Sequence, residues 1–317
     1  MTTKIIIDTD PGIDDAMAIH YALGCPELDV VGLTTIFGNV RTPLATANAL
    51  ALLEVAGRGD IPVAEGALGP STGGVFDEPA AFVHGDDGFG DGGVAAAPTG
   101  RAVALGAAEF IVDAVRAAPG EITLAPLGPL TNIARAAELE PRLAELLAGI
   151  VLMGGAAFTG GNATPAAEAN IVKDPEAADV VFGLDCPIVM AGLDVTESTR
   201  MTAADLARFA DLPGARAAHV TRMVPYYQAY HATLGYEGAI NVHDPSVISY
   251  LIAPDAFEWV EHPVRVDTGA SVARGATVPA VHRRQRWQPW ADRPDVRILL
   301  RADVRRVVDL QIERTAG

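Results

Sequence analysis

The sequence predicts an α/β fold: a single domain over residues 1–317, with a mostly parallel central sheet flanked by helices and an active site at the carboxyl ends of the strands. Three observations predict it. Short apolar runs alternate with Ala- and Leu-rich helical stretches from the first residues onward. Polar clusters follow several of those runs, where a parallel sheet gathers its loops at one edge. No internal repeat, linker or shift of composition divides the 317 residues.

The elements follow in order. Ile5 to Ile7 is β-branched and reads as a buried strand, stopped by Pro11 and Gly12. Ile13 to Leu23 reads as an amphipathic helix, Leu28 to Ile36 as a second strand, Pro43 to Ala56 as a helix closed by Gly57, and Ile61 to Ala64 as a short strand. Gly66 to Gly100 breaks the rhythm with Gly, Pro and Asp. A loop this long is either functional or a solvated surface excursion, and Phe76, Phe82, His84 and Phe89 within it suit the first. The alternation resumes with helix Ala102 to Ala118, strand Ile122 to Pro126, helices Leu130 to Ala137 and Arg142 to Leu147, and strand Ile150 to Met153. A second long loop runs to Asn170, followed by helix Pro175 to Phe182 and strand Ile188 to Ala191. Ala203 to His231 is mainly helical with a break at Pro213-Gly214, and Asp244 to Ile252 reads as a short helix capped by its own Asp. From Phe257 strand-like pieces alternate, before a final helix near Ala302 to Ile312.

Composition narrows the partners. Half of the residues are apolar, enough for a sizeable core. A net charge of −17 argues against nucleic acid or an anionic membrane. The basic, aromatic segment Arg283 to Trp290 suits base stacking, but in so acidic a chain it reads better as a surface or subunit-contact loop. Cys25 and Cys186 lie far apart and suit buried, inert thiols in a reducing compartment. The chain enters a strand at once, leaving no room for a signal peptide, and no apolar run nears the roughly 18 residues of a membrane span. The expectation is a soluble, cytoplasmic protein.

Chemistry concentrates at the start. Asp8, Asp10, Asp14 and Asp15 crowd one strand end and one helix start. Acids cap helix N-termini, but capping accounts for one or two of them, not four. Repulsion at this spacing raises some of their pKa values unless a cation neutralises the group, and an oxygen-ligated divalent metal is the economical solution. Further polar clusters stand at predicted strand ends: Phe37-Gly38-Asn39, His84 to Asp91, Leu127-Gly128, Gly161 to Asn170, and Asn241-Val242-His243-Asp244.

Asp8-Thr9-Asp10-Pro11-Gly12-Ile13-Asp14-Asp15-Ala16 closely resembles the N-terminal motif of the inosine–uridine-preferring nucleoside hydrolases, calcium-dependent N-ribohydrolases. Gly38-Asn39, His84-Gly85-Asp86-Asp87-Gly88, Gly128-Pro129-Leu130-Thr131-Asn132 and Met153-Gly154-Gly155 match further motifs, as do Ala167-Glu168-Ala169-Asn170, Asp174-Pro175-Glu176-Ala177 and His243-Asp244-Pro245, in the family's order over nearly the whole chain.

The resemblance implies hydrolysis of ribonucleosides to free base and ribose. It implies Ca²⁺ held by the carboxylates of Asp10, Asp15 and Asp244 and the carbonyl of Leu127. Asp10 would also take a proton from calcium-bound water. Asp14, Asn39, Asn162, Glu168 and Asn170 would hold the ribose over Met153, while His84 and His243 flank the base. His243 would protonate the leaving base, its other reading being a structural histidine beside a ligand. Asp8 would support the ligands from behind. Tyr226, Tyr227, Tyr230 and His231 carry no assigned role, since their spacing suits either a relay or a buried aromatic face. The family also implies a small-molecule nucleoside substrate, a homodimer or homotetramer, and a place in nucleoside salvage.

Departures from the family pattern are Ala169, where some relatives carry a bulkier aromatic, Phe89 in place of the more usual Leu, and the Arg283 to Trp290 segment, which matches no motif of the family. Together they bear on base preference. Two other readings remain beside the hydrolase. One is a calcium-dependent ribose or nucleoside binding protein without turnover. The other is a haloacid-dehalogenase-type phosphatase, suggested by Asp8-Thr9-Asp10 but opposed by the order of its later motifs, because the acids at Asp86 to Asp91 precede Lys173.

Overall fold

The computed structural model describes residues 2–92, 98–282 and 288–316. Among them run eleven strands: β1 (Thr3–Thr9), β2 (Leu28–Thr35), β3 (Val63–Glu65), β4 (Ile122–Pro126), β5 (Gly149–Met153), β6 (Ile188–Ala191), β7 (Arg200–Met201), β8 (Ile240–Asn241), β9 (Phe257–Val266), β10 (Thr277–Pro279) and β11 (Asp295–Ala302). Nine form one sheet in the order β10-β9-β11-β6-β5-β4-β1-β2-β3, and β7 with β8 forms a separate pair. Every pairing from β3 across to β11 is parallel; the β11–β9 and β9–β10 pairings at the far edge are antiparallel, so β9 alone in this sheet runs against the rest.

Strand β1 explains why the sheet sits at the centre. Ile5 and Ile7 pack with Met17 and Ile19 on one face, while Ile6 packs with Ile111 and Ile133 on the other. Alternate side chains leave opposite faces of a strand, so a run apolar at every position demands helices on both sides. Helix Ile13–Leu23 covers the first face; Ala107–Ala117 and Thr131–Leu139 cover the second.

The strand order reverses direction beside β1. The chain first steps outward through β2 and β3, then returns to β4 on the other side of β1 and continues to β5 and β6. At such a switch point the loops after the two neighbouring strands diverge and leave a crevice. Asp10 follows β1 and Leu127 follows β4 at that position, with Asp8 level with Pro126 across the pair.

Several boundaries differ from those expected. Helix Ala107–Ala117 begins five residues later than predicted, because Gly106 takes the N-cap position in an extended conformation and the residues before it form no helix. The β7–β8 pair and the short helix Leu193–Thr196 carry too few residues for any periodicity. Asp244 occupies the N-cap position of helix Pro245–Ile252, but its side chain caps nothing. The expectation that it serves its own helix is corrected: its carboxylate turns toward Asp14 and Asp15 instead. Within the long 66–100 segment, residues 98–100 and those up to 92 are described; His84 and Phe89 are buried and Phe76 packs on Phe37, so this part is ordered around the crevice. Residues 283–287 of the basic, aromatic segment lie outside the described residues, and 288–290 open a short helix in which Trp290 Nε1 donates to the Val278 carbonyl. No described helix is long and apolar enough to cross a membrane.

Candidate active site

The floor of the crevice is a knot of buried carboxylates. Asp15 lies in the first turn of helix Ile13–Leu23, where Oδ1 accepts from Thr9 Oγ1 at 2.6 Å and Oδ2 from the Gly12 amide at 3.0 Å. The second bond satisfies a free helix N–H, so capping does explain this acid. Asn39, after β2, ties two acids together: its amide N–H meets Asp10 Oδ2 at 2.5 Å and its Nδ2 meets Asp15 Oδ2 at 2.9 Å. Asp244 reaches the same point from the far end of the sequence, and oxygens of Asp14, Asp15 and Asp244 all lie within 4.8 Å of one another. Asp10 Oδ1 and Asp14 Oδ1 are buried without any hydrogen-bond partner. A Cβ on Gly38 or Gly128 would overlap the Asp10 carboxylate, so both glycines leave the space that acid occupies.

Such an array is electrostatically unstable by itself. Burial, and then the neighbouring acids, push Asp10 and Asp244 well above the usual carboxylate range. Burial also lifts Asp14 to about 6 and raises Asp15. Unpaired buried carboxylate oxygens are costly unless a proton or a cation meets them. The donor set is all oxygen, which suits a hard divalent ion. Asp8 stands apart. Its Oδ1 accepts from Thr34 Oγ1 at 2.6 Å and Asn132 Nδ2 at 2.8 Å, and Asn132 in turn donates to the Thr35 carbonyl. Asp8 thus braces the strand ends from behind, with burial lifting it to about 7.

Above the floor opens a cavity of about 450 Å³. Asp14, Asn39, Leu127, Met153, Asn162, Glu168, Asn170, His84, His243 and Asp244 all line it, whereas Asp10 and Asp15 lie beneath the lining. One side is built by helix Ala169–Lys173. Glu168 caps it, its carboxylate accepting from the amides of Asn170, Ile171 and Gly155 at 2.9, 3.2 and 3.0 Å. Asn170 Nδ2 then donates to the Leu127 carbonyl at 2.7 Å and the Met153 carbonyl at 3.2 Å. The amide therefore locks the ends of β4 and β5 together, and the second lone pair of the Leu127 oxygen remains for another partner. Asn162 is exposed and accepts from the Ala169 amide through Oδ1.

The other side is aromatic. His84 Nδ1 accepts from the Ile13 amide at 3.2 Å, which leaves that nitrogen unprotonated at a helix N-terminus. Burial holds His84 down to about 3. The ring stacks on Tyr227 at 5.8 Å, and the Tyr227 hydroxyl donates to Asp14 Oδ2 at 3.2 Å. His231 packs edge-on to Tyr227 at 4.3 Å, and its Nδ1 meets the Tyr227 carbonyl at 2.8 Å. A carbonyl only accepts, so Nδ1 carries the proton and the neutral ring keeps Nε2 as an acceptor. His243 Nδ1 contacts Thr196 Oγ1 at 2.8 Å, and burial together with His231 and His84 lowers it to about 3. Tyr227, Tyr230 and His231, left without a role by the sequence, line the cavity, while the Tyr226 hydroxyl is spent on the Ala81 carbonyl. Sequence reasoning missed Lys173, Glu197 and Tyr236, which also line it, as does Asn241, named within a polar cluster but given no role. Lys173 had a weak signal as one of two lysines in the chain. Its charge opposes the upward shifts of Asp10, Asp14 and Glu168.

Comparison with known proteins agrees with this geometry. The family model described as inosine-uridine preferring nucleoside hydrolase matches residues 5–309. The chain is 45% identical to a probable uridine nucleosidase of Arabidopsis thaliana over 313 residues, covering 98% of this chain and 97% of that protein. It superposes on the solved structure of a plant nucleoside hydrolase with a TM-score of 0.94 at 40% identity, covering all of both chains. A purine-preferring ribonucleoside hydrolase from Gardnerella vaginalis gives a TM-score of 0.92 at 33% identity, covering 99% of this chain and 98% of that one. These matches favour neither the binding-protein nor the phosphatase reading. With carboxylates gathered at the switch point, a cavity above them, and relatives matched from end to end, the chain belongs to the inosine–uridine preferring nucleoside hydrolase family.

Proposed function

We propose that this N-ribosyl hydrolase uses Ca²⁺ held by Asp10, Asp15, Asp244 and the Leu127 carbonyl, and that uridine is among its good substrates. The observation that carries the reading is the pair of buried, unpartnered carboxylate oxygens on Asp10 and Asp14 at the base of the cavity. Oxygen donors from three chain segments, with one carbonyl free to contribute, suit calcium's demand for six to eight oxygens once water and two ribose hydroxyls are added. When bound, the cation supplies positive charge that acidifies the attacking water and grips the sugar.

The chain's own groups do the rest. Asp10 accepts the proton of the water that attacks C1′. Asp14 and Asn39 bind ribose hydroxyls, Asn162, Glu168 and Asn170 hold the far side of the sugar, and Met153 packs beneath the ring. Their oxygens stabilise the positive charge that develops as the glycosidic bond lengthens. His84 and His243 flank the base. His243 is neutral in the free site; as negative charge grows on the departing base its ring takes up a proton from solvent and passes one to the base nitrogen, so the ring ends neutral again. The uridine assignment rests on the name of the Arabidopsis relative and its 45% identity. We further assign the whole chain to one domain and infer a cytoplasmic homodimer or homotetramer acting in nucleoside salvage.

A panel of uridine, cytidine, inosine and adenosine, assayed for free ribose with calcium and after verified metal removal, tests this reading. Ribose release from uridine that depends on calcium is expected. Undiminished hydrolysis after chelation would sink the calcium assignment, and release from purine nucleosides alone would sink the uridine one.

A further inference from the structure

The wall made by β7 and β8 has no part in the chemistry above. Arg200 and Asn241 are register partners across this two-stranded pair. Arg200 Nε donates to Asn241 Oδ1 at 3.1 Å. A guanidinium has no acceptor, so the contact fixes which way the amide is turned: Oδ1 faces Arg200 and Nδ2 faces away. Arg200 is itself held, its guanidinium 3.8 Å over the ring of Tyr236. Asn241 is 4% exposed, and its small accessible part lines the cavity beside Tyr236 and His231. Among the described residues Nδ2 donates to no group of the protein. Val242 between Asn241 and His243 is fully buried, so the two polar side chains that flank it belong to the cavity side of this segment.

We propose that Asn241, with its amide set by Arg200, is a base-recognition residue that donates a hydrogen bond from Nδ2 to a carbonyl oxygen of the leaving nucleobase. This rests on the ribonucleoside reading of the cavity. During hydrolysis a C1′–O bond to water forms and the C1′–N bond breaks. The water's proton goes to Asp10, the electron pair of the broken bond stays on the base, and the base then takes up a proton. In uracil that electron pair spreads onto the carbonyl oxygen next to the glycosidic nitrogen. A donor fixed at that oxygen gains strength as the bond breaks, so it lowers the barrier more than it tightens binding. The residue therefore favours bases that carry a carbonyl over adenine, which has none. Arg200 is a positioning residue: it touches no substrate and keeps the amide from flipping.

The test compares uridine with 4-nitrophenyl riboside, whose leaving group has no carbonyl, in the wild-type protein, Asn241→Ala and Arg200→Met. For Asn241→Ala, kcat/KM for uridine is expected to fall roughly 100-fold, chiefly in kcat, the low end for loss of one donor to developing charge. The fall on nitrophenyl riboside is expected to be at least tenfold smaller. Arg200→Met leaves the cavity lining intact and should show the same uridine-selective loss in milder form, with Arg200→Lys restoring part of it. A merely structural role lowers both substrates together, and that result, or an unchanged uridine rate in Asn241→Ala, overturns the proposal. If the wild-type protein cleaves neither substrate, the ribonucleoside reading itself falls, and this inference with it.

Discussion

At the scale of single residues, the acids after β1 share a sequence neighbourhood but not an environment. Asp15 is saturated by Thr9, Gly12 and Asn39, whereas Asp8, Asp10 and Asp14 each keep one bare buried oxygen, that of Asp8 beside an Oδ1 held by Thr34 and Asn132. A base needs a free oxygen, and Asp10 keeps one unpartnered beside the Asn39 bond that orients its other oxygen. On the proposed reading, replacing it by Ala removes both ligand and base. Ribose release from uridine should then drop by at least the roughly 10²- to 10⁴-fold attributed to a general base. A loss below tenfold in a metal-loaded variant would show that another group takes the proton. His243 allows a cleaner separation of roles. His243→Ala should slow inosine more than 4-nitrophenyl riboside, because only the purine needs help to leave; equal losses would assign His243 to structure through its Thr196 contact.

At the scale of elements, the motif Asp174-Pro175-Glu176-Ala177 shows what a sequence match leaves unsaid. Asp174 is buried and acts as the N-cap of helix Pro175–Val181, accepting from the Ala177 amide at 3.1 Å. The same carboxylate accepts from the Ser71 amide and hydroxyl, at 2.6 and 2.7 Å, and from Thr131 Oγ1 at 2.7 Å. One side chain thus pins the long loop, the helix after β4 and its own helix. Asp174→Ala should cost about 3 kcal/mol, since each hydrogen bond to a buried charge contributes about 1.5–3 and some are regained with water. Urea unfolding would show this as a lower midpoint at unchanged slope; a loss under about 1 kcal/mol would mean that the loop re-pairs. The parallel strands were legible because buried runs such as Ile5 to Ile7 need no partner to be recognised, and strand Ile122–Pro126 and helix Ile13–Leu23 fall where the pattern put them. The crevice followed, because polar residues after parallel strands must share an edge. What the sequence concealed is tertiary in origin. The β7–β8 pair is two residues deep, the lining role of Asn241 and Tyr236 depends on a long-range contact with Arg200, and nothing local says that the Asp244 carboxylate abandons its own helix.

At the scale of the whole molecule, the site is a source of instability that a cation should convert into stability, and the pH dependence tells the two apart. Burial raises Asp10 and Asp244 well above the usual range and Asp8 to about 7, so the native state keeps protons that the unfolded chain has already lost above about 4. Stability of the metal-free protein therefore falls as pH rises through these raised values. The histidines have the opposite sign. Burial holds His20 well below its ordinary value and His84 and His243 at about 3, so below about 6.5 the unfolded chain binds protons that the native state refuses, and stability falls with acid. Between about pH 7.5 and 8.5 the histidines are neutral in both states and only the acids act. In that window the melting temperature of chelated protein should decline with pH. On the proposed reading calcium binds only the ionised carboxylates of the native state, so its stabilising shift should grow over the same interval, following RT ln(1 + [L]/Kd) with a Kd that tightens as protons leave. Asp244→Asn removes one buried carboxylate and, with it, one of the proposed ligands. It should raise the melting temperature of chelated protein at pH 8 and shrink the calcium shift. Melting curves at pH 7.5 and pH 8.5, with calcium and with chelator, decide the matter: a calcium shift equal at both pH values would mean that the ion binds outside the buried cluster.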